Sequence, residues 1–411
     1  MSTPAFTRLD ATLDWHPPAG LDVAAARRAR RDFLRRHGPA VYAAAADLAP
    51  LAAGAAGLAY AAAEIFPGLA PGREDMERES RRPQPEKAGL ELDQAILFHA
   101  WLSDPATGDA LIHRMRRPTP AAEDLLDGFL RTGEADLGPV LLRRDGVAGH
   151  ITFRNLRSLN AEDMGMIAAM QVAVDLVLLD DTIRVGVLRG DVMTHPKYAG
   201  RRVFSAGIDL VELAAGRIPY ADFLLGRELG YLGKMQHGLV RDGGPLDWAP
   251  DVVHKPWIAV VDTFAIGGGM QLALVCDRVL AGTDAYFSLP AAQEGIIPGV
   301  GSLRLPRLVG PRLARQVILA GRRIQADEPE IALICDRVLD DAEMDDAVAE
   351  AIAELSAPAV AANRAMLSLA EEPPEHFRGY LAEFALRQGL RLYAPDVLAK
   401  ADGFAARKGR P

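Results

Sequence analysis

Three consecutive glycines lie where an apolar run of strand composition meets an apolar run of helical length. The first run, WIAVVDTFAI (257–266), is rich in isoleucine and valine, and Gly267 to Gly269 follow it directly. The second run, MQLALVCD (270–277), carries no charge before its last residue. The pattern predicts a buried strand, a turn without room for side chains, and a buried helix.

Two roles for the glycine turn are open on the residues alone. Glycine is required wherever a strand and a helix meet too closely for a Cβ, so packing alone explains the turn. A helix N-terminus also presents unpaired N–H groups and a partial positive charge, so the same turn can hold an anion or a developing oxyanion. The phosphate-binding patterns are absent, because GGGMQL matches neither G-x-G-x-x-G nor Gly-Lys-Ser/Thr.

The charge balance and the first residues of the sequence indicate which classes of partner to expect. With 46 basic and 55 acidic residues, the 411-residue chain has a formal charge of −9, which gives no basic surface for nucleic acid. No signal-peptide pattern opens the sequence, and the alanine-rich stretch 43–63 contains Asp47 and Pro50, which argues against a membrane span. The two cysteines form no disulfide framework. We expect a cytoplasmic protein that binds neither nucleic acid nor membrane.

Changes in composition divide the chain into three regions. Residues 1–137 are rich in alanine, leucine, arginine and glutamate at helical spacing and predict a mostly helical region. Residues 138–345 alternate strand-like and helix-like runs, beginning with a hairpin around Asp145 and Gly146, and predict an α/β core. Residues 346–411 return to helical spacing. We therefore expect an α/β protein with helical regions on both sides of its core.

A second turn of the same kind precedes the glycine turn. VFSAGIDL (203–210) follows the strand-like RVGVLRG (184–190) and places small residues before a helical run. Between the hairpin and this strand, the helical spacing after Asn160 predicts a helix with Asn160 as its N-cap. Two strand-to-helix turns are able to supply two converging backbone amides.

The order and spacing of these segments resemble the crotonase (enoyl-CoA hydratase/isomerase) superfamily. The resemblance is carried by L-R-G, F-S-A-G-I-D-L, K-P-W-I-A-V-V-D-x-F-A-I-G-G-G and F-S-L-P…G-I-I-P-G, which cover residues 150–340. It implies a ββα-superhelix core, a homotrimer or homohexamer assembled through C-terminal helices, and a coenzyme A thioester as ligand. By position, the amides of Ile208 and Gly268 would hold the thioester carbonyl. The loop at the adenine end of coenzyme A would include Ala206, Asp209 and Leu210.

Two positions depart from what the resemblance implies for a hydratase. The glutamates that add water in that family are replaced here by Gln271 and Ala291. Glutamine does not shuttle a proton near neutral pH and alanine has no polar group, so hydration by that route is excluded. Glu294 is the nearest replacement, although a structural role beside the GIIPG turn explains it equally well.

Further segments resemble one branch of the superfamily, the 3,5-dihydroxyphenylacetyl-CoA 1,2-dioxygenases that supply dihydroxyphenylglycine for glycopeptide antibiotics. They include GRRVFSAGIDL, GRELGYLGKM, SLPAAQEGIIPG and YLAEFALRQGLRLY. This resemblance implies a cofactor-independent reaction in which a thioester enolate reacts with O₂ to give 3,5-dihydroxyphenylglyoxylate and free coenzyme A. The nine histidines show no metal-binding pattern, which is compatible with that chemistry. A hydratase or thioesterase that uses Glu294, and a non-catalytic acyl-CoA-binding protein, are the alternatives.

The resemblance also assigns side chains to the substrate. Arg227 and Glu162 would bind the phenolic hydroxyls, Gln271 would hydrogen-bond near the reacting atoms, and Ile296 and Ile297 would form an apolar wall for O₂. Each has a simpler explanation: an ion pair with the neighbouring glutamate for the arginine, a place in the first turn of a helix for Glu162, and core packing for the isoleucines.

Overall fold

The computed structural model describes residues 22–241 and 251–400, together with Leu13, Trp15, His16 and Gly20. The outer ends of the predicted N-terminal and C-terminal regions, residues 1–12 and 401–411, lie outside the described residues. None of the described helices combines the length and the apolar character that crossing a membrane requires.

Residues 22–132 form a layer of helices, as their spacing predicts. The helices are α1 (Val23–Leu48), α2 (Ala55–Ile65), α3 (Arg73–Ser80), α4 (Glu91–Ser103), α5 (Pro105–Met115) and α6 (Pro120–Thr132). Asp104 and Thr119 cap the last two by accepting hydrogen bonds from backbone amides, and a proline follows each cap at the first helical position. The left-handed Gly133 ends α6 and turns the chain toward the first strand.

Strands and helices then alternate, which confirms the predicted α/β core. The strands are β1 (Glu134–Asp136), β2 (Val140–Asp145), β3 (Ala148–Phe153), β4 (Val185–Gly190), β5 (Leu239–Val240), β6 (Val252–Val253), β7 (Trp257–Val261), β8 (Phe264–Ile266), β9 (Arg278–Gly282), β10 (Tyr286–Ser288), β11 (Arg323–Gln325) and β12 (Arg337–Leu339). The main sheet has the order β1-β2-β3-β4-β7-β9-β12 and a smaller sheet has the order β11-β10-β8. The main sheet begins at Glu134 and ends at Leu339, a few residues before the boundaries expected at 138 and 345.

The remaining helices cover the sheet and complete the chain. They are α7 (Met164–Leu179), α8 (Leu210–Ala214), α9 (Gly226–Leu229), α10 (Tyr231–His237), α11 (Gly268–Ala273), α12 (Ala291–Glu294), α13 (Gly301–Ala320), α14 (Asp341–Leu355), α15 (Pro358–Glu371) and α16 (Pro374–Leu392). A π-helical segment, Tyr220–Leu225, leads directly into α9. Short 3₁₀ turns occur at Gln84–Glu86, Pro196–Tyr198 and Pro329–Leu333.

The N-cap expected at Asn160 is wrong. The helix starts three residues later than that position requires, because Asp163 caps α7 by accepting a hydrogen bond from the Met166 amide at 2.8 Å. Asn160 is fully buried with a φ of 54° and donates its side-chain amide to the Val203 carbonyl at 2.7 Å. The asparagine therefore joins two loops of the core, and this leaves the segment between it and the helix free to face inward.

The N-terminal helices are bound to the C-terminal helix α16 by buried polar contacts. Glu91, at the start of α4, accepts hydrogen bonds from the Tyr220 amide at 3.1 Å and from the Tyr393 hydroxyl at 2.5 Å. The Tyr220 hydroxyl donates in turn to the Ala385 carbonyl at 2.8 Å. Helix α4, the π-helical segment and α16 are thereby held together, and the last two supply walls of the site described below.

At the centre of the main sheet, position 186 has no space for any side chain larger than that of glycine. This residue on β4 faces Trp257 on β7, and a Cβ at Gly186 would lie 2.1 Å from the indole ring. We expect Gly186→Ala to lower the free energy of unfolding by about 2–3 kcal/mol, because overpacking a rigid core forces neighbouring side chains out of place. Urea denaturation measures this change.

Gly128→Ala provides the matched control. Gly128 lies within α6 and no atom comes within 4 Å of the Cβ position. There we expect a gain of up to about 1 kcal/mol, since alanine favours the helix. Similar effects of the two substitutions would contradict the packing assigned to Gly186.

Candidate active site

The two small-residue turns predicted from the sequence lie side by side. Ser205 pairs with Ala265 as parallel extended backbone, so the residues three positions later in each segment, Ile208 and Gly268, come level with each other. The approach is close, because a Cβ on Gly207 would lie 3.1 Å from the Gly268 nitrogen. Gly207 has a φ of 83°, which further favours glycine at this position.

The amides of Ile208 and Gly268 are available to a ligand. In the described part of the chain, neither amide donates a hydrogen bond to a backbone carbonyl. Gly268 is the first residue of α11, where helical amides have no partner within the helix and the helix dipole favours negative charge. Both residues line a cavity of about 150 Å³. This pair of donors is suited to a carbonyl oxygen on which negative charge develops.

The cavity brings together nine of the ten side chains and amides that the sequence singled out. They are Glu162, Ala206, Ile208, Leu210, Arg227, Gly268, Gln271, Ile296 and Ile297. Asp209 does not line the cavity, because its carboxylate accepts hydrogen bonds from the Val211 and Glu212 amides and caps α8. Glu294 lines the same cavity and is half-buried.

Arg227 is the centre of the polar contacts in the cavity. Its side chain is buried, with 4% of the residue exposed. The guanidinium donates to Glu162 from two nitrogens at 3.1 and 3.2 Å, to Glu228 at 3.2 Å, to Gln271 at 2.7 Å and to the Gly268 carbonyl at 2.7 Å. These contacts match the number of N–H groups that a guanidinium carries. The ion pair with Glu228, which explains the arginine without a substrate, is therefore present. Glu162, which the resemblance places at the substrate together with Arg227, binds the same guanidinium.

Glu162 and Gln271 each keep one polar side-chain atom that has no hydrogen-bond partner among the described residues. All three bonds to Glu162, from Arg227 and from the Tyr231 hydroxyl at 3.0 Å, end on its Oε1, and Oε2 is left beside Gly268. Gln271 accepts from Arg227 with its Oε1, which leaves the Nε2 amide without a partner. These two side chains thus offer one acceptor and one donor to a ligand, in addition to the two backbone amides.

Burial and neighbouring charges shift the pKa values of Arg227 and of the groups around it. Burial alone lowers the pKa of Arg227, but Glu162, Tyr231 and Glu228 outweigh it and raise the pKa above its usual value. Burial raises the pKa of Tyr231 well above 10, so the phenol stays a hydrogen-bond donor. Burial also raises the pKa of Glu228, against the opposing effect of Arg227 and Arg304.

Several residues in or around the cavity were not assigned to the site from the sequence. Tyr231 lies four residues after Arg227, a helical spacing that signals contact, and its ring lies 5.7 Å from the guanidinium carbon. Gly299 has a φ of 46°, and a Cβ there would lie 1.8 Å from the Glu228 carboxylate. Phe384 lines the cavity from α16, more than a hundred residues after Arg227. No local sequence pattern indicates this contact.

Comparison with known proteins gives four findings. Residues 248–376 match the family described as enoyl-CoA hydratase/isomerase. The (3,5-dihydroxyphenyl)acetyl-CoA 1,2-dioxygenase of Amycolatopsis orientalis is 50% identical over 98% of this chain and 94% of its own length. The carnitinyl-CoA dehydratase of Salmonella paratyphi A is 33% identical over 64% of this chain and 90% of its own length. The crystal structure of an enoyl-CoA hydratase/isomerase from Mycobacterium paratuberculosis aligns with a TM-score of 0.52 and 25% identity, over 64% of this chain and 98% of that one.

We expect the contacts of Arg227 to matter for stability as well as for the site. Arg227→Met leaves two buried carboxylates without their main partner, so the free energy of unfolding should fall by about 3–5 kcal/mol. The control is Arg387→Met on α16, where the paired Glu383 and the arginine are both exposed. There the expected loss is at most about 1 kcal/mol. Equal losses in urea denaturation would show that the buried contacts contribute no more than an exposed pair.

Proposed function

This chain belongs to the enoyl-CoA hydratase/isomerase (crotonase) family, and from that premise we propose that it is a 3,5-dihydroxyphenylacetyl-CoA 1,2-dioxygenase. The observation that carries the proposal is the 50% identity with a dioxygenase of that name over 98% of the chain. The reaction consumes one O₂ and converts the arylacetyl thioester to 3,5-dihydroxyphenylglyoxylate and free coenzyme A. Both oxygen atoms of O₂ enter the keto acid, and the two hydrogens of Cα end on the carboxyl group and the thiol.

The first step that the site supports is formation of a thioester enolate. The amides of Ile208 and Gly268 would bind the thioester oxygen and stabilise its negative charge once the Cα proton leaves. The positive end of α11 adds to this stabilisation. Removing one donor of an oxyanion hole typically lowers the rate by about 100-fold or more.

The next step depends on what the site lacks near the enolate. Gln271 and Ala291 supply no carboxylate where the family's hydratases carry one, so water addition by paired glutamates is closed to this chain. We propose that the enolate, delocalised into the electron-rich ring, instead transfers an electron to O₂ and forms a peroxide at Cα. The peroxide then attacks the thioester carbonyl and expels coenzyme A as the thiolate, which closes a four-membered cyclic peroxide. The O–O bond breaks as the second hydrogen leaves Cα, and this gives the keto acid. No metal or flavin takes part in this scheme.

The ring hydroxyls need polar partners in an otherwise apolar cavity. We propose that the unpartnered Oε2 of Glu162 accepts a hydrogen bond from one hydroxyl and that the Nε2 amide of Gln271 donates to another. Arg227 contacts both side chains and would orient them toward the substrate. Ile296 and Ile297, with Phe384, would form the apolar wall against which O₂ reacts.

The regions around the core complete the proposal. We propose that residues 138–345 form the catalytic core, with Ala206, Asp209 and Leu210 in the loop at the adenine end of coenzyme A. We propose further that the C-terminal helices join subunits into a homotrimer or homohexamer. The exposed apolar residues of α15 support this, since Met366 is 64% exposed and Leu367 is 61% exposed.

A second function is favoured by one observation. Glu294 lines the cavity, and a hydratase or thioesterase that uses this carboxylate would need no oxygen. The two functions differ in their dependence on O₂, which one experiment separates.

We expect chelator-treated, flavin-free protein to consume O₂ when given 3,5-dihydroxyphenylacetyl-CoA in an oxygen electrode. One O₂ should be used for each coenzyme A released, and release should stop under argon, because O₂ is a reactant. Thioester cleavage that continues unchanged under argon, or the absence of O₂ uptake, would sink the dioxygenase proposal. Cleavage under argon that is lost in Glu294→Gln would favour the second function.

We also expect Gly268→Ala to lower kcat/KM for this substrate by about 100-fold or more, as loss of an oxyanion-hole donor does. The added Cβ would lie 1.9 Å from Oε2 of Glu162, so the carboxylate and the glycine amide must separate. Gly379→Ala on α16, where no atom lies within 4 Å, is the control and should retain full activity. A Gly268→Ala enzyme that turns over normally would exclude this amide from the reaction.

A further inference from the structure

A row of buried charges continues from the cavity into the C-terminal helices. Arg227 contacts Glu228, and the other oxygen of that carboxylate lies 3.9 Å from Arg304 on α13. Arg304 in turn binds Glu372 at the end of α15 through two nitrogens, at 2.7 and 3.3 Å. These four residues are each 4% exposed or less. Positive and negative charges alternate along the row, so each charge lies between opposite ones.

The contact of Glu228 with Arg227 is unusual for two neighbouring residues of one helix. Neighbouring residues on a helix point in different directions and do not normally contact each other, yet Glu228 reaches back to the guanidinium of Arg227. Gly299, which has no side chain, leaves the space that the carboxylate fills. On the far side lies Arg304, whose charge favours the ionised form of Glu228 against the effect of burial.

Arg304 is held by Glu372 in a direction that serves Glu228. The two bonds to Glu372 use Nε and Nη2, and the fork geometry fixes the plane of the guanidinium. The remaining nitrogen, Nη1, is buried and has no hydrogen-bond partner among the described residues. Oε2 of Glu228 is buried and without a partner in the same way. These two atoms face each other across the 3.9 Å gap, which indicates an attraction between charges without a direct hydrogen bond.

We propose that Arg304 is a positioning residue of the active site, which acts through Glu228 to hold the guanidinium of Arg227 against Gln271 and Glu162. Arg304 and Glu372 do not line the cavity, so any effect that they have on the substrate is indirect, and the row of charges supplies a route for it. The role rests on the proposed function, since it concerns the residues that would bind the ring hydroxyls.

A double-mutant cycle tests the role. We expect Arg304→Gln to lower kcat/KM for 3,5-dihydroxyphenylacetyl-CoA by about fivefold or more, within the range of couplings between contacting residues. In a Glu228→Gln background there is no buried carboxylate left to hold, so the same substitution should change kcat/KM by less than about twofold. Equal effects in the two backgrounds would overturn the proposal.

Arg364→Gln is the matched control. Arg364 on α15 is also buried, 5% exposed, and binds Asp277 at 2.7 Å, but it does not contact Glu228. Its effect should be the same with and without Glu228→Gln. If Arg304→Gln does not fold, Glu372→Gln replaces it, because that change releases the fork that directs Arg304. Its effect should then likewise vanish in the Glu228→Gln background, and persistence of the effect there would count against the proposal.

The same variants are then compared by their Kd for 3,5-dihydroxyphenylacetyl-CoA. The Kd is measured under argon, where no turnover by O₂ occurs. Absence of O₂ uptake by the unsubstituted enzyme would contradict the proposed function, whereas coupling in Kd would still support the role of Arg304. Normal O₂ uptake with no coupling in either measurement would remove Arg304 from the site and leave the proposed function intact.

Discussion

The buried guanidinium of Arg227 is the contact on which the rest of the site depends. A charge taken out of water is costly unless hydrogen bonds and opposite charges surround it, and here they come from three parts of the chain. Glu162 precedes α7, Glu228 shares α9 with the arginine, and Gln271 and Gly268 belong to α11. Because one rigid cation requires all of these partners at once, it fixes the relative positions of the helices that enclose the cavity.

The backbone supplies the second constraint. The parallel contact of Ser205 with Ala265 places two strand-to-helix turns at one level, and glycine at 207 lets them touch. The paired amides are therefore built by topology, independently of any side chain. Arg227 joins the two systems, because it donates to the carbonyl of Gly268, the same residue that lines the cavity and whose amide donates to no backbone carbonyl of the described residues. Under the proposed function, orientation of the substrate and stabilisation of its charge would be coupled through Arg227.

The sequence predicts those parts of the site that depend on local backbone chemistry. The glycine turn and the hairpin at Asp145 follow from residue types over short stretches, and the structure has both. The run 257–266 before the turn, expected as one strand, is divided in the structure into β7 and β8, which belong to different sheets. The N-cap at Asn160 was wrong because a competing contact, with Val203 some forty residues away, takes the side chain. Phe384 and Arg304 were missed for the same reason. Each reaches its position through packing between distant helices, which no local pattern records.

The neutral side chain at position 271 fits the charges around it. Arg227 already lies between the carboxylates of Glu162 and Glu228. The side-chain oxygen of Gln271 that accepts from Arg227 lies close to the carboxylate oxygen of Glu228, since a Cβ on Gly299 would approach both atoms. A glutamate at 271 would place a third carboxylate around one guanidinium. Like charges at that distance raise the pKa of one of them, so a proton would be held on the side chain whose Nε2 amide is now left without a partner among the described residues. Loss of the hydratase glutamate is therefore more than the loss of an acid. Under the proposed function, it is also the condition under which Arg227 would orient the acceptor of Glu162 and the donor of Gln271 toward the same substrate.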